Sequence, residues 1–247
     1  LTMMPAAIAY CHGQPGGPAE WQANAPAGLM AFVPDRNTPA TPTALAASIA
    51  AHTAGPITLI GFSLGVPMAL AVAAELGERV EQVHLIAPAA PLALGDFLPH
   101  MAGGALFRLA RDRPALFGLV ARAQGLAARF APGFLFDRLF ATASGNDRQL
   151  RHDPAFRAAM AAVLRGGLGQ GTAGFIAEVR TYASGATPPV GPITAPIHIW
   201  QGCADSWTPP AMAQALAASL TGNVTLTLLP GCGHYGTLRA ALARLAG

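Results

Sequence analysis

Gly61-Phe62-Ser63-Leu64-Gly65 joins two apolar runs of different period. Before it lies Ile57-Thr58-Leu59-Ile60, a β-branched run that reads as a buried strand. After it comes Val66-Pro67-Met68-Ala69-Leu70-Ala71-Val72-Ala73-Ala74-Glu75-Leu76, whose Ala/Leu-rich composition reads as a helix. Pro67 falls in the first turn of that helix, where a missing N–H costs nothing. Such a turn is so tight that a side chain at either flank would collide with the neighbouring elements, which explains Gly61 and Gly65. Ser63 is pushed out at the end of the sheet, beside the backbone N–H of Leu64 and the positive end of a helix.

A serine hydroxyl is a weak nucleophile near neutral pH and needs an adjacent base, itself oriented by a third group. Both follow in the chain, in the order Ser, Asp, His. Asp205 lies in Gly202-Cys203-Ala204-Asp205-Ser206-Trp207-Thr208-Pro209, straight after the strand-like Pro196-Ile197-His198-Ile199-Trp200. His234 lies in Pro230-Gly231-Cys232-Gly233-His234-Tyr235-Gly236, straight after Val224-Thr225-Leu226-Thr227-Leu228-Leu229. Loops that follow the strands of a parallel sheet emerge at one edge, so the three residues are expected to converge. Asp96, beyond the strand ending at Ala87, is a rival for the acid.

A further strand-like run, Ala6 to Tyr10, leads into Cys11-His12-Gly13-Gln14-Pro15-Gly16-Gly17. Acyl transfer develops an oxyanion that needs preorganised N–H donors. The backbone N–H groups of Gln14 and Leu64 are the candidates. His12 and Gly13 are read as shaping this turn, with His12 a hydrogen-bonder at the strand end.

The segments HGQPG at 12–16, GFSLG at 61–65, GCADSWTPP at 202–210 and GCGHYG at 231–236 resemble the α/β-hydrolase superfamily. The resemblance is to its capped, serine-nucleophile branch of esterases, proline iminopeptidases, carbon–carbon bond hydrolases and haloperoxidase-like enzymes. It implies an α/β fold: a mostly parallel sheet flanked by helices, with an inserted helical cap and no cofactor or metal. It also implies Ser63 as nucleophile, Asp205 as acid and His234 as base. Two departures stand out. Relatives carry an Arg-Gly-x-Gly turn where this chain has Pro34-Asp35-Arg36-Asn37-Thr38-Pro39, and only Leu1 to Pro5 stand where the family's first two strands normally lie.

The remaining strands are expected at Gly28–Val33, Gln82–Ala87, Pro196–Trp200 and Val224–Leu229. Thr41-Pro42 and Thr208-Pro209 each read as an N-cap followed by proline at the first helical position. Between Pro88 and about Gly191 the strand pattern stops, and Leu106, Leu109, Leu116, Phe117 and Leu119 repeat at helical spacing. Residues 1–90 and 172–247 are therefore read as the core and 91–171 as the cap, with a helix at Thr172 to Ser184 before the Gly185–Pro192 loop.

The 15 basic residues are all arginine, which removes Schiff-base lysines, phosphate-binding lysines and Ser–Lys dyads. Ten of them fall between Arg108 and Arg165 against Asp112, Asp137, Asp147 and Asp153, so this stretch is +6. Two readings are open: solvated helix faces, or attraction of an anionic substrate or membrane surface. Cys11, Cys203 and Cys232 lack metal-ligand spacing and are expected to be buried packing residues.

A small acyl substrate and a cytoplasmic setting are expected, with no nucleic-acid partner and no membrane contact. Ester, amide and carbon–carbon bonds stay open. So do two alternatives, a non-hydrolytic ligand binder and an interfacial lipase whose basic cap presents Phe130, Phe134, Phe136 and Phe140 to lipid.

Overall fold

A computed structural model describes residues 6–188 and 191–247; Leu1 to Pro5 and part of the loop at 185–192 lie outside the described residues. Five strands form one wholly parallel sheet in the order β1-β2-β3-β4-β5. They are β1 (Ala7–Cys11), β2 (Ile57–Phe62), β3 (Val80–Ile86), β4 (Ile197–Gly202) and β5 (Val224–Leu229). A parallel sheet covered on its faces needs continuous apolar strands. Ile57, Leu59, Ile60, Val83, Leu85, Ile86 and Ile199 meet that need and are fully buried or nearly so. Each such side chain contributes on the order of 2 kcal/mol of burial.

The covering helices are α1 (Pro18–Asn24), α2 (Pro42–His52), α3 (Gly65–Leu76), α10 (Pro210–Ser219) and α11 (His234–Ala246). Helix α3 packs on β2 and β3, α10 on β4 and β5, and α11 on β3 and β4. Thr41 caps α2 as its sequence predicts, accepting the Ala44 N–H at 3.2 Å with Pro42 in the first turn.

Two expectations need correction. Gly28–Val33 is not a strand: only Phe32 pairs, through one parallel bridge to Ala9 on the outer side of β1. Gly28 takes a left-handed φ of 87° and the Leu29 N–H turns back to Pro26, so the segment is bent until just before Pro34 ends it. Thr208 does not cap α10 either. The helix starts one residue later than expected, at Pro210, and the Thr208 side chain is engaged elsewhere.

Between β3 and β4 lie α4 (Gly104–Asp112), α5 (Pro114–Phe130), α6 (Pro132–Leu139), α7 (Asp147–His152), α8 (Pro154–Leu164) and α9 (Ala173–Ala183). Tilted and edge-on aromatic contacts fasten this layer to the sheet domain. Phe140 lies 5.3 Å from Trp207 and 5.7 Å from Tyr235 between ring centroids, and Phe156 lies 5.8 Å from Tyr235. Among the described residues no helix is long and apolar enough to cross a membrane.

Candidate active site

The turn between β2 and α3 forces Ser63 to a φ of 54°, a left-handed conformation rare for a residue with a side chain. Such a residue costs about 1–3 kcal/mol and persists because its surroundings over-determine it. Its N–H donates to the Ile86 carbonyl at 3.0 Å, and its carbonyl accepts from Ala89 at 3.2 Å. The flanking glycines are required by contact. A Cβ on Gly65 would lie 2.1 Å from the Cys11 carbonyl oxygen, and one on Gly61 would lie 2.7 Å from the Ala69 methyl. This sharp turn, an elbow between β2 and α3, is thus pressed directly against the end of β1.

Asp205 and His234 meet beyond the ends of β4 and β5. The Asp205 Oδ2 lies 2.8 Å from His234 Nδ1, with both side chains buried. The carboxylate is held on its other side by the N–H groups of Trp207 at 2.8 Å and Thr208 at 3.0 Å, both donating to Oδ1. The Thr208 hydroxyl sits 2.9 Å from Oδ2 and 3.1 Å from the Ala87 carbonyl, and so bridges this loop to the end of β3. Burial pushes the His234 pKa down, but the Asp205 charge and hydrogen bond outweigh it and hold the imidazole above its ordinary value. Asp96, the rival acid, is exposed, and the His234 ring takes its carboxylate from Asp205.

Ser63, His234, Gly13, Gln14 and Leu64 line one cavity of about 270 Å³. The His234 ring packs 4.7 Å from the Phe62 ring, one residue before Ser63. Among the described residues, neither the Ser63 hydroxyl nor His234 Nε2 is hydrogen-bonded to another protein group, and the N–H groups of Gln14 and Leu64 have no protein acceptor. The residues that carry these two N–H groups and the hydroxyl thus border one space. The opposite wall comes from the helical layer and is mostly apolar, with Leu106, Phe107, Leu135, Met160 and Leu164 beside the polar Gln124 and Arg138.

Residues outside the recognised motifs hold this arrangement. Arg36 is completely buried; its guanidinium pairs with Glu178 of α9 and donates to the carbonyls of His12 and Leu64 (3.3 Å for Leu64). One side chain therefore clamps the two backbone segments that carry the free N–H groups. Gln14 is steadied by its own amide, which donates to the Arg36 carbonyl at 3.1 Å. His12 is buried with Nδ1 2.7 Å from the Gly13 carbonyl oxygen, and burial drives its pKa down to about 3, so the ring is neutral.

Two contributors carry no role in the sequence reading, and a third is read there only as a helix cap. Glu20 of α1 is fully buried at the cavity wall and accepts from Tyr10 at 2.7 Å, the Gly13 N–H at 2.8 Å and Tyr235 at 3.3 Å. Asp147 accepts the N–H groups of Tyr235 at 3.1 Å and Gly236 at 2.7 Å, capping the helix that begins with His234. Thr208 is the third. Asp147 reaches across 88 and 89 positions, Thr208 reaches Ala87 across 121 and Glu20 reaches Tyr235 across 215, so no local signal announces these contacts. The cysteine expectation holds for Cys11 alone, which is buried with its thiol pushed up to about 11. Cys203 is exposed and Cys232 half-buried, because the loops that carry them run along the outside of the site.

A family model described as serine aminopeptidase, S33, matches residues 41–237. The chain belongs to this family of α/β-hydrolases. Solved structures agree on the fold. An esterase from Thermogutta terrifontis matches with a TM-score of 0.60 at 17% identity, over 99% of this chain and 89% of that one. Est816, described as an N-acyl homoserine lactone degrading enzyme, matches with a TM-score of 0.64 at 17% identity, over 99% and 93% of the respective chains. A bromoperoxidase from Bacillus anthracis matches with a TM-score of 0.60 at 15% identity, over 99% and 91%. No curated protein matches the sequence. The chain is a hydrolase of the α/β fold.

Proposed function

We propose that this S33-family hydrolase is a serine hydrolase that cleaves an ester, amide or related bond of a small, largely apolar acyl substrate. Ser63 Oγ attacks the acyl carbon while His234 Nε2 takes the hydroxyl proton. Asp205 holds the other imidazole nitrogen as the N–H tautomer and stabilises the imidazolium. The oxyanion is received by the free N–H groups of Gln14 and Leu64, each contributing on the order of 3 kcal/mol. The imidazolium then protonates the leaving group. Water, deprotonated by the same imidazole, attacks the acyl-enzyme and regenerates Ser63.

The observation that carries this reading is the shared cavity. It joins a strained serine, an imidazole already paired with a buried carboxylate, and Gln14 and Leu64, whose N–H groups have no acceptor among the described residues. Residues 91–171 serve as its cap, since α4, α6 and α8 supply the apolar part of the wall that excludes water from the acyl-enzyme. Reaction with a fluorophosphonate probe tests the assignment. The wild-type protein is expected to gain one adduct, mapped to Ser63 by peptide mass spectrometry, and Ser63→Ala none. Labelling that survives Ser63→Ala would remove the nucleophile from this position. A series of p-nitrophenyl esters of increasing acyl length, beside aminoacyl anilides, distinguishes the ester from the amide reading.

The His234 base must be neutral to act, and its folded pKa is raised above 6.5. The acid limb of kcat/KM is therefore expected above pH 6.5, and in Asp205→Asn it moves to lower pH as the charge is lost. Stability runs the other way. A raised histidine pKa stabilises the fold fully below the unfolded value of 6.5, and that contribution is lost as pH rises through the folded value. A pH–rate profile and pH-dependent thermal melts of the two proteins check both signs.

A further inference from the structure

The helical layer turns a second face to solvent, away from the cavity, and this face is apolar. Of eight large hydrophobic side chains exposed among the described residues, five lie on α5 and α6: Leu116, Leu119, Leu126, Phe130 and Phe134. Exposure reaches 63% at Leu119, 61% at Leu126 and 75% at Phe130. The first four fall with Ala123 on one stripe of α5, while Phe117, Gly118, Ala121, Gly125 and Ala128 form its buried face. Helix α5 is thus apolar on both sides, and only the inner side is accounted for by packing. Phe136 and Phe140, grouped by sequence with Phe130 and Phe134, are instead buried beneath this face.

The charge around the stripe is of one sign. Helix α5 contains Arg122 and Arg129 and no acid, and Arg113 precedes it. None of these three takes part in a salt bridge among the described residues. Arg129 lies over the Phe130 ring at 5.3 Å, its charge kept at the level of the apolar stripe. The one carboxylate of α6, Asp137, is already paired with Arg157, which donates to it at 2.7 Å.

This distribution selects among occupants. If two copies met stripe to stripe across a two-fold axis, Arg122 and Arg129 would face their own counterparts with no carboxylate to separate them, which is repulsive. An anionic phospholipid surface satisfies both features together: its acyl region takes the leucines and phenylalanines, and its headgroups take the unpaired guanidinium groups. We propose that the outer face of α5 and the start of α6 docks on an anionic phospholipid bilayer. The helices would lie in the interface plane. Their inner side supplies Gln124, Leu135, Arg138 and Leu139 to the cavity, so docking would bring the cavity wall beside the lipid. The docking does not depend on the catalytic reading, because binding is measured without turnover.

Co-sedimentation with vesicles of phosphatidylcholine, and of phosphatidylcholine mixed with phosphatidylglycerol, tests the proposal. Binding to the mixed vesicles is expected, with little to phosphatidylcholine alone, and binding should weaken as salt is raised. Arg122→Gln with Arg129→Gln should weaken it by about 30-fold, roughly fivefold for each arginine near an anionic surface. Leu126→Gln with Phe130→Gln should abolish it while leaving the thermal midpoint in place, since these side chains are already solvated. Failure to bind mixed vesicles, or binding indifferent to both pairs of substitutions, would overturn the proposal. So would a dimer in sedimentation velocity that Leu126→Gln dissolves, because a second copy would then own the face.

Discussion

Asp205→Asn is expected to lower kcat by about 10⁴-fold with little change in KM, a loss of the size seen when a triad carboxylate becomes an amide. The geometry explains why the oxygen-for-nitrogen exchange is so costly. Asp205 presents four acceptor directions to donors: the N–H groups of Trp207 and Thr208 at Oδ1, and His234 with the Thr208 hydroxyl at Oδ2. An asparagine oxygen can replace Oδ1 and keep the two backbone bonds, so the loop keeps its shape. Its NH₂ then faces His234 Nδ1, which must become the acceptor. The ring proton moves to Nε2, and the nitrogen meant to deprotonate Ser63 no longer can. Burst and steady-state kinetics on an activated ester measure the loss, and circular dichroism checks that the fold persists. Turnover near normal would hand the acid role to another residue.

Arg36→Met is expected to be the most destabilising of the substitutions considered, at about 3 kcal/mol. That is the lower end for breaking a buried ion pair, because Glu178 keeps 15% of its side chain exposed and can recruit water. A loss of this size lowers the melting temperature by roughly 6–12 °C for a chain of this length. Activity should fall further than stability alone accounts for. The His12 and Leu64 carbonyls lose their shared donor, and the N–H groups of Gln14 and Leu64 drift apart with them. Glu178→Gln, which keeps an acceptor for the guanidinium, is expected to be milder on both counts. Differential scanning calorimetry beside kcat on the same preparations separates the two effects. An Arg36→Met protein with wild-type kcat below its melting temperature would show that the clamp serves stability only.

Much of the site was legible because its parts are local. The strain of a left-handed serine and the contact at Gly65 both demand small neighbours, so the elbow leaves a signature five residues long. Asp205 and His234 were readable for a related reason, since each follows a strand of evident composition. The strand boundaries at β5 matched, while Gly28–Val33 did not become a strand. A left-handed Gly28 and two prolines, local features also present in the sequence, outweighed the apolar pattern there. Periodicity likewise placed helices between β3 and β4, but could not say which side of α5 is inside. Its stripes at Leu116, Leu119, Leu126 and at Phe117, Ala121, Ala128 are equally apolar.

Local patterning along the chain marks the chemistry available at the sheet edge: a serine on a glycine-bounded turn, and a carboxylate and an imidazole in loops after strands. These depend on backbone sterics and strand periodicity, which act over a few residues. What holds those groups in register comes from how the whole chain packs. Arg36, Glu20, Asp147 and Thr208 act across long sequence separations, and a buried polar group finds its partner by where the chain packs. The same is true of the apolar stripe on α5. Whether a leucine is core or surface depends on what lies opposite it, and that is a property of the folded chain.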